Sequence, residues 1–162
     1  LIQALSSTDK MDLVIQKAVE LGVTRIVPVV TERSVARLNG VRAQKRLAHW
    51  QGVVIAACEQ CGRNRPPEVA ALAPLRERLL EAQSAAARWI LLPGAEYALR
   101  SLAKPAGEIA LLVGAEGGFT PAEQHAALAH GFVPVQLGPR VLRTETAGLA
   151  ALAAIQALWG DF

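Results

Sequence analysis

The stretch Glu108–Gly131, "EIALLVGAEGGFTPAEQHAALAHG", holds the reading that decides the fold. Its opening run, Glu108 to Gly114, is continuously apolar after the first residue, as in a strand covered on both faces. Gly114, Gly117 and Gly118 then remove Cβ atoms, so the backbone can turn sharply and come close to a ligand. A helix follows with its signals in order. Thr120 is the N-cap, Pro121 takes the first helical position, Glu123 completes a capping box and Gly131 ends the helix.

The same alternation extends in both directions. Leu1–Leu5 predicts a short strand, and "STDKMDLVIQKAVELG" a helix capped by Ser7, Thr8 or Asp9 and stopped at Gly22. Thr24–Val30 is β-branched and short, hence a strand. Val41–Gln60 predicts a long helix, and Pro66 and Pro67 place Arg63–Glu68 in a loop. Glu68–Ala73 is a candidate strand, Leu75–Ala87 a helix and Trp89–Pro93 a buried strand. Phe132–Leu137 predicts the last strand, and a final helix runs from Thr144 or Glu145 to Trp159. Strands alternating with helices imply an α/β fold around a mostly parallel sheet.

Bulk properties narrow the class. A chain of 162 residues, 52% hydrophobic and 19% charged, suits one folded domain. No stretch reaches the roughly 20 apolar residues of a membrane helix, so no membrane partner is expected. The chain begins at Leu1 without a signal-peptide pattern, and reads as a domain cut from a longer protein. A net charge of +3 is compatible with a nucleic-acid partner. Cys58 and Cys61 form a lone C-x-x-C, and His49, His125 and His130 show no paired metal spacing. No metal is expected, and the two thiols read as reduced, in a reducing compartment that we take to be the cytoplasm.

In open α/β sheets ligands bind beyond the carboxyl ends of the strands. Three such ends carry loop chemistry: "LLPGAE", "LLVGAEGGFTPAE" and "QLGPRVLRTETA". The second is neither a P-loop nor a dinucleotide fingerprint. Glu116 would repel an anion and suits a hydroxyl, an amine or a cation. In the third loop, Thr144 and Glu145 read as the cap and first-turn anion of the final helix. Arg140 and Arg143 have no such explanation, because a cation is unfavourable at a helix start. They point to an anionic partner.

"GAEGGFTPAE" followed by "LGPRVLRTETA" resembles the signature of the SPOUT RNA methyltransferases, and most closely the branch that methylates N3 of a uridine in small-subunit ribosomal RNA. "KMDLVIQKAVELGVTRIVPVVTERSV" and "ACEQCGRNRPPEV" resemble upstream blocks of that branch. The resemblance implies an α/β fold with a C-terminal trefoil knot, and a homodimer with its site near the interface. It implies S-adenosylmethionine held by three loops, here Leu92, Pro93 and Gly94; Val113, Gly114, Glu116, Gly117 and Gly118; and Leu137, Gly138, Leu142 and Thr144. It also implies an N-terminal RNA-binding β-barrel in a full-length protein, with residues 1–162 forming the cofactor-binding domain alone.

Uridine N3 is a poor nucleophile until deprotonated, so a base or a cation must favour the anion. Arg143 and Arg140 are the candidates for the cation, and Glu145 for the base. Arg33 and Arg63 are candidate contacts to the ribosomal RNA. Two other readings stay open: methylation of another RNA position, such as a ribose 2′-hydroxyl, or a silent RNA-binding or dimerisation module.

Overall fold

The structure is a computed structural model and describes residues 1–34 and 40–162. Val35, the last residue of the "TERSV" block, lies outside the described residues. Along the chain run β1 (Ile2–Ala4), α1 (Thr8–Glu20), β2 (Arg25–Val30), α2 (Gly40–Cys61), β3 (Glu68–Val69), β4 (Ala73–Pro74) and α3 (Leu75–Glu81). Then follow β5 (Ala87–Leu91), β6 (Tyr97–Ala98), β7 (Ile109–Val113), α4 (Pro121–Ala129), β8 (Val133–Gln136) and α5 (Thr144–Trp159).

Every strand pairing in the sheet is parallel, in the order β3-β2-β1-β7-β5-β8-β6, with β4 also pairing β2. The sheet is covered on both sides, and residue alternation along the strands assigns the faces. Leu111 and Val113 of β7 join one apolar cluster with α1, α2 and α5, whereas Leu112 joins the other with α3 and α4. Trp89 and Ile90 of β5 divide the same way. The continuous apolar run is therefore a central strand with two buried faces.

Helix α4 forms as its local signals require. Thr120 Oγ1 accepts from the Glu123 amide, and the Glu123 carboxylate accepts from the Thr120 amide at 2.9 Å. The second oxygen of Glu123 accepts from the Glu32 amide at 2.8 Å, tying this helix start to the loop after β2.

Some expected boundaries move. The expected strand over Glu68–Ala73 is two short strands, and the expected helix over Leu75–Ala87 ends at Glu81 and passes through a 3₁₀ turn, Ala82–Ser84. Ala87 already belongs to β5, because burial of this strand against β7 outweighs the helix preference of the alanine run. Strand β6 carries only two residues and no periodic signal.

Candidate active site

Beyond the carboxyl ends of β5, β7 and β8 the three loops enclose a cavity of about 390 Å³. The β5 loop contributes Leu92 and Pro93 to its wall, while Gly94 lies outside the lining, at a left-handed turn with φ +74°. The β7 loop contributes Val113, Gly114, Glu116 and Gly118. Gly117 does not line it; a Cβ there would come within 3.0 Å of Arg33 Cβ, so the missing side chain lets the β2 loop pack closely. The β8 loop contributes Leu137, Gly138, Arg140, Leu142, Arg143, Thr144 and Glu145.

Arg143 is the N-cap of α5, and its carbonyl accepts the Ala147 amide at 2.8 Å. Its side chain makes no capping bond, and both Arg143 and Arg140 are exposed at the cavity. Among the described residues neither forms an ion pair, so their charges are available to an anion.

Thr144 is not the cap expected of it. It is the first helical residue, buried, and its hydroxyl donates to the Gly114 carbonyl and accepts from Gln3 Nε2 at 3.1 Å. Gln3 is fully buried in β1 and needs a partner there. The hydroxyl turns inward because it joins three segments, at the ends of β1 and β7 and the start of α5.

Glu145 lies in the first turn of α5, as its charge favours. Its partner is Lys10 of α1, with Nζ at 3.4 Å from the carboxylate and 3.0 Å from that of Glu116. Burial pushes Glu116 up, but its own amide, the Lys10 hydrogen bond and the Ser7 amide outweigh that and hold it below the usual carboxylate range. The hydrogen bond to Glu116 raises Lys10 above its ordinary value. Lys10 lines the cavity and was not among the expected site residues: 106 residues separate it from Glu116, although a cation in the first turn of α1 runs against the macrodipole as Arg143 does. Val141 also lines the cavity, with 78% of its surface exposed, and was likewise not singled out.

Arg33 and Arg63, expected as RNA contacts, each make hydrogen bonds within the protein. Arg33 donates to the Gly117 carbonyl at 2.8 Å and clamps the β7 loop from outside the cavity. Arg63 donates to the Val19 and Val23 carbonyls at 2.8 and 2.9 Å and closes the carboxyl end of α1. Cys58 is buried and Cys61 half-buried in the last turn of α2; burial pushes the Cys58 thiol up, away from reactive thiolate. Among the described residues no group of three His, Cys, Asp or Glu is placed to hold a metal. None of the described helices is long and apolar enough to cross a membrane.

Known proteins resemble this chain. The ribosomal RNA small subunit methyltransferase E of Buchnera aphidicola subsp. Schizaphis graminum is 38% identical, over 98% of this chain and 65% of that protein. Its Mycobacterium bovis counterpart is 36% identical, over 97% of this chain and 62% of its own length. The chain thus spans a little under two thirds of these relatives. A crystal structure of the same enzyme type from Neisseria gonorrhoeae, bound to S-adenosyl methionine, superposes with a TM-score of 0.95 at 51% identity, covering 99% of this chain and 66% of that one. A SpoU methyltransferase from Streptomyces viridochromogenes, 13% identical with a TM-score of 0.62, shares the fold. The family model described as "RNA methyltransferase domain" matches residues 1–156, which takes in all three cavity loops and the helix that starts at Thr144, and the chain belongs to that family.

Proposed function

We propose that this chain is the catalytic domain of an S-adenosylmethionine-dependent enzyme that methylates N3 of a uridine in 16S ribosomal RNA, working as a homodimer. The observation that carries the reading is the single cavity in which thirteen of the fifteen residues expected for catalysis and cofactor binding meet. The relatives named above support the substrate class.

The residues present fit the methyl donor. Gly118 and Gly138 have positive φ values of +67° and +143°, and nothing lies within 4 Å of where their Cβ atoms would be, so a ligand can approach the backbone there. Leu92, Leu137 and Leu142 offer apolar surface for an adenine. Glu116 and Glu145 share the one cation Lys10, so this part of the wall keeps a net negative charge suited to a cation. When bound, S-adenosylmethionine supplies an electrophilic methyl group on sulfur.

Arg143 and Arg140 stabilise the uridine anion that forms as N3 loses its proton. Glu145 is the candidate acceptor of that proton, and taking it would weaken the pairing with Lys10. Domain organisation follows the same reading: an RNA-binding barrel belongs to the full-length enzyme, and residues 1–162 hold the donor. A trefoil knot completes the proposed fold. The strand order supports it, since β8 pairs between β5 and β6 and the link Leu92–Glu96 must cross over it.

Two measurements test the function. Calorimetric titration with S-adenosylmethionine should release or absorb heat, and silence together with no thermal shift would remove the enzyme reading. Unmodified small subunits should then acquire methyl at uridine N3, slowly with this chain and faster with a full-length relative. Methyl on a ribose oxygen would overturn the N3 assignment.

A further inference from the structure

From Arg33 to Cys58 the chain carries five of its 17 Lys and Arg residues and none of its 14 Asp and Glu residues. The other twelve cations are outnumbered by the carboxylates, so the net positive charge of the molecule is owed to this one segment. Within it, Arg42, Lys45, Arg46 and His49 of α2 are spaced three, four and seven residues from the first, which puts them on one helix face. That face flanks the buried one, which carries Trp50, Val54 and Ala57. Arg42, Lys45 and His49 are exposed.

The stripe is joined to the cavity. Arg46 donates to Thr8 Oγ1 at 2.7 Å, and His49 meets the Asp12 carboxylate at 2.8 Å, both on the first turns of α1. Between Thr8 and Asp12 stands Lys10, which lines the cavity. At the other end of the segment, Arg33 holds the β7 loop through the Gly117 carbonyl. The nearby carboxylates are few: Asp12 is occupied by His49, Asp9 lies on α1, and Glu32 and Glu59 bound the segment in sequence. Arg42 and Lys45 have no carboxylate partner among the described residues.

We infer that this face of α2 is a track for the phosphate backbone of the RNA strand whose target base enters the cavity, an inference that rests on RNA being the substrate. A flexible polyanion matches a row of exposed cations on a rigid helix, and it reaches the reacting base from the side that Lys10 closes. Phosphate contacts of this kind set position without reading sequence. The stripe therefore holds the strand, and the cavity selects the base.

The test is the salt dependence of binding to a fluorescently labelled single-stranded transcript of small-subunit RNA. The double variant Arg42→Gln, Lys45→Gln changes only exposed side chains. Losing two phosphate contacts should flatten the slope of log affinity against log salt by about 1.4, at about 0.7 per phosphate. The control Arg76→Gln, Lys104→Gln removes the same charge elsewhere and should keep the original slope. Unchanged S-adenosylmethionine binding would show the cavity intact. A double variant with the parent slope, or a control that falls equally, overturns the track while leaving the substrate reading in place. A parent chain with no salt-dependent RNA binding overturns the track, while the substrate reading stands or falls on the methylation test above.

Discussion

At the scale of single residues the site divides into groups committed to the protein and groups left for a ligand. Arg143 is of the second kind, since its backbone caps α5 and its guanidinium does not. Arg143→Ala should lower methyl transfer by about two to three decades, the typical cost of removing one stabilising donor, while S-adenosylmethionine affinity in calorimetry stays within a few-fold. A variant that loses affinity but keeps turnover per bound donor would refute the catalytic role. Lys10 is of the first kind, and its pairing has a pH signature. Glu116 is depressed in the folded state, so its contribution to stability is present above the ordinary value of 4.5 and is lost as pH falls through the lower folded value. Lys10 is raised, so its contribution is present below 10.5 and is lost as pH rises through the higher folded value. Thermal melts should therefore show Lys10→Met displaced from the parent by a constant gap between those limits, narrowing at acid pH. A gap that persists in acid would mean that lost packing and not charge is responsible. The arginines were readable from sequence because a cation at a helix start contradicts local preference. Lys10 breaks the same preference in the first turn of α1, but its partners Glu116 and Glu145 lie far along the chain, beyond any local reading.

At the scale of elements the legible parts were those with local causes. The capping box of α4 and the doubly buried β7 each follow from a few adjacent residues and stand where expected. The strands around Glu68–Pro74 and Tyr97–Ala98 owe their existence to pairing with β2 and β8, so the residues themselves carry little sign of them. Thr144 shows the same division. Its sequence position suggests a cap, and its occupation is instead the bridge from Gln3 to the Gly114 carbonyl. Thr144→Val keeps the shape and removes the hydroxyl, leaving that carbonyl without its donor. Urea unfolding should show a loss of about 1–3 kcal/mol with an unchanged m-value. A loss within about 0.5 kcal/mol, the range of ordinary surface changes, would show that the bridge is replaceable.

At the scale of the whole molecule, strand order departs furthest from chain order, and no local signal forecasts such an arrangement. Parallel strands need long connections, and pairings between distant segments form slowly. Here β8 must enter between β5 and β6, both made much earlier in the chain. Trp89 pairs across to Val133 of β8, and its ring centroid lies 5.7 Å from that of Trp159 at the end of α5. Tryptophan fluorescence should thus report a slow final phase in refolding, and a chain truncated before Phe132 should lack it. If the full chain refolds in one fast phase, β8 insertion is not the late step. Because the loop after β8 supplies one wall of the cavity, pocket and final strand come into being together. A chain in which β8 has not yet taken its place has no pocket to fill, and ligand occupancy marks the molecules in which that strand is in the sheet.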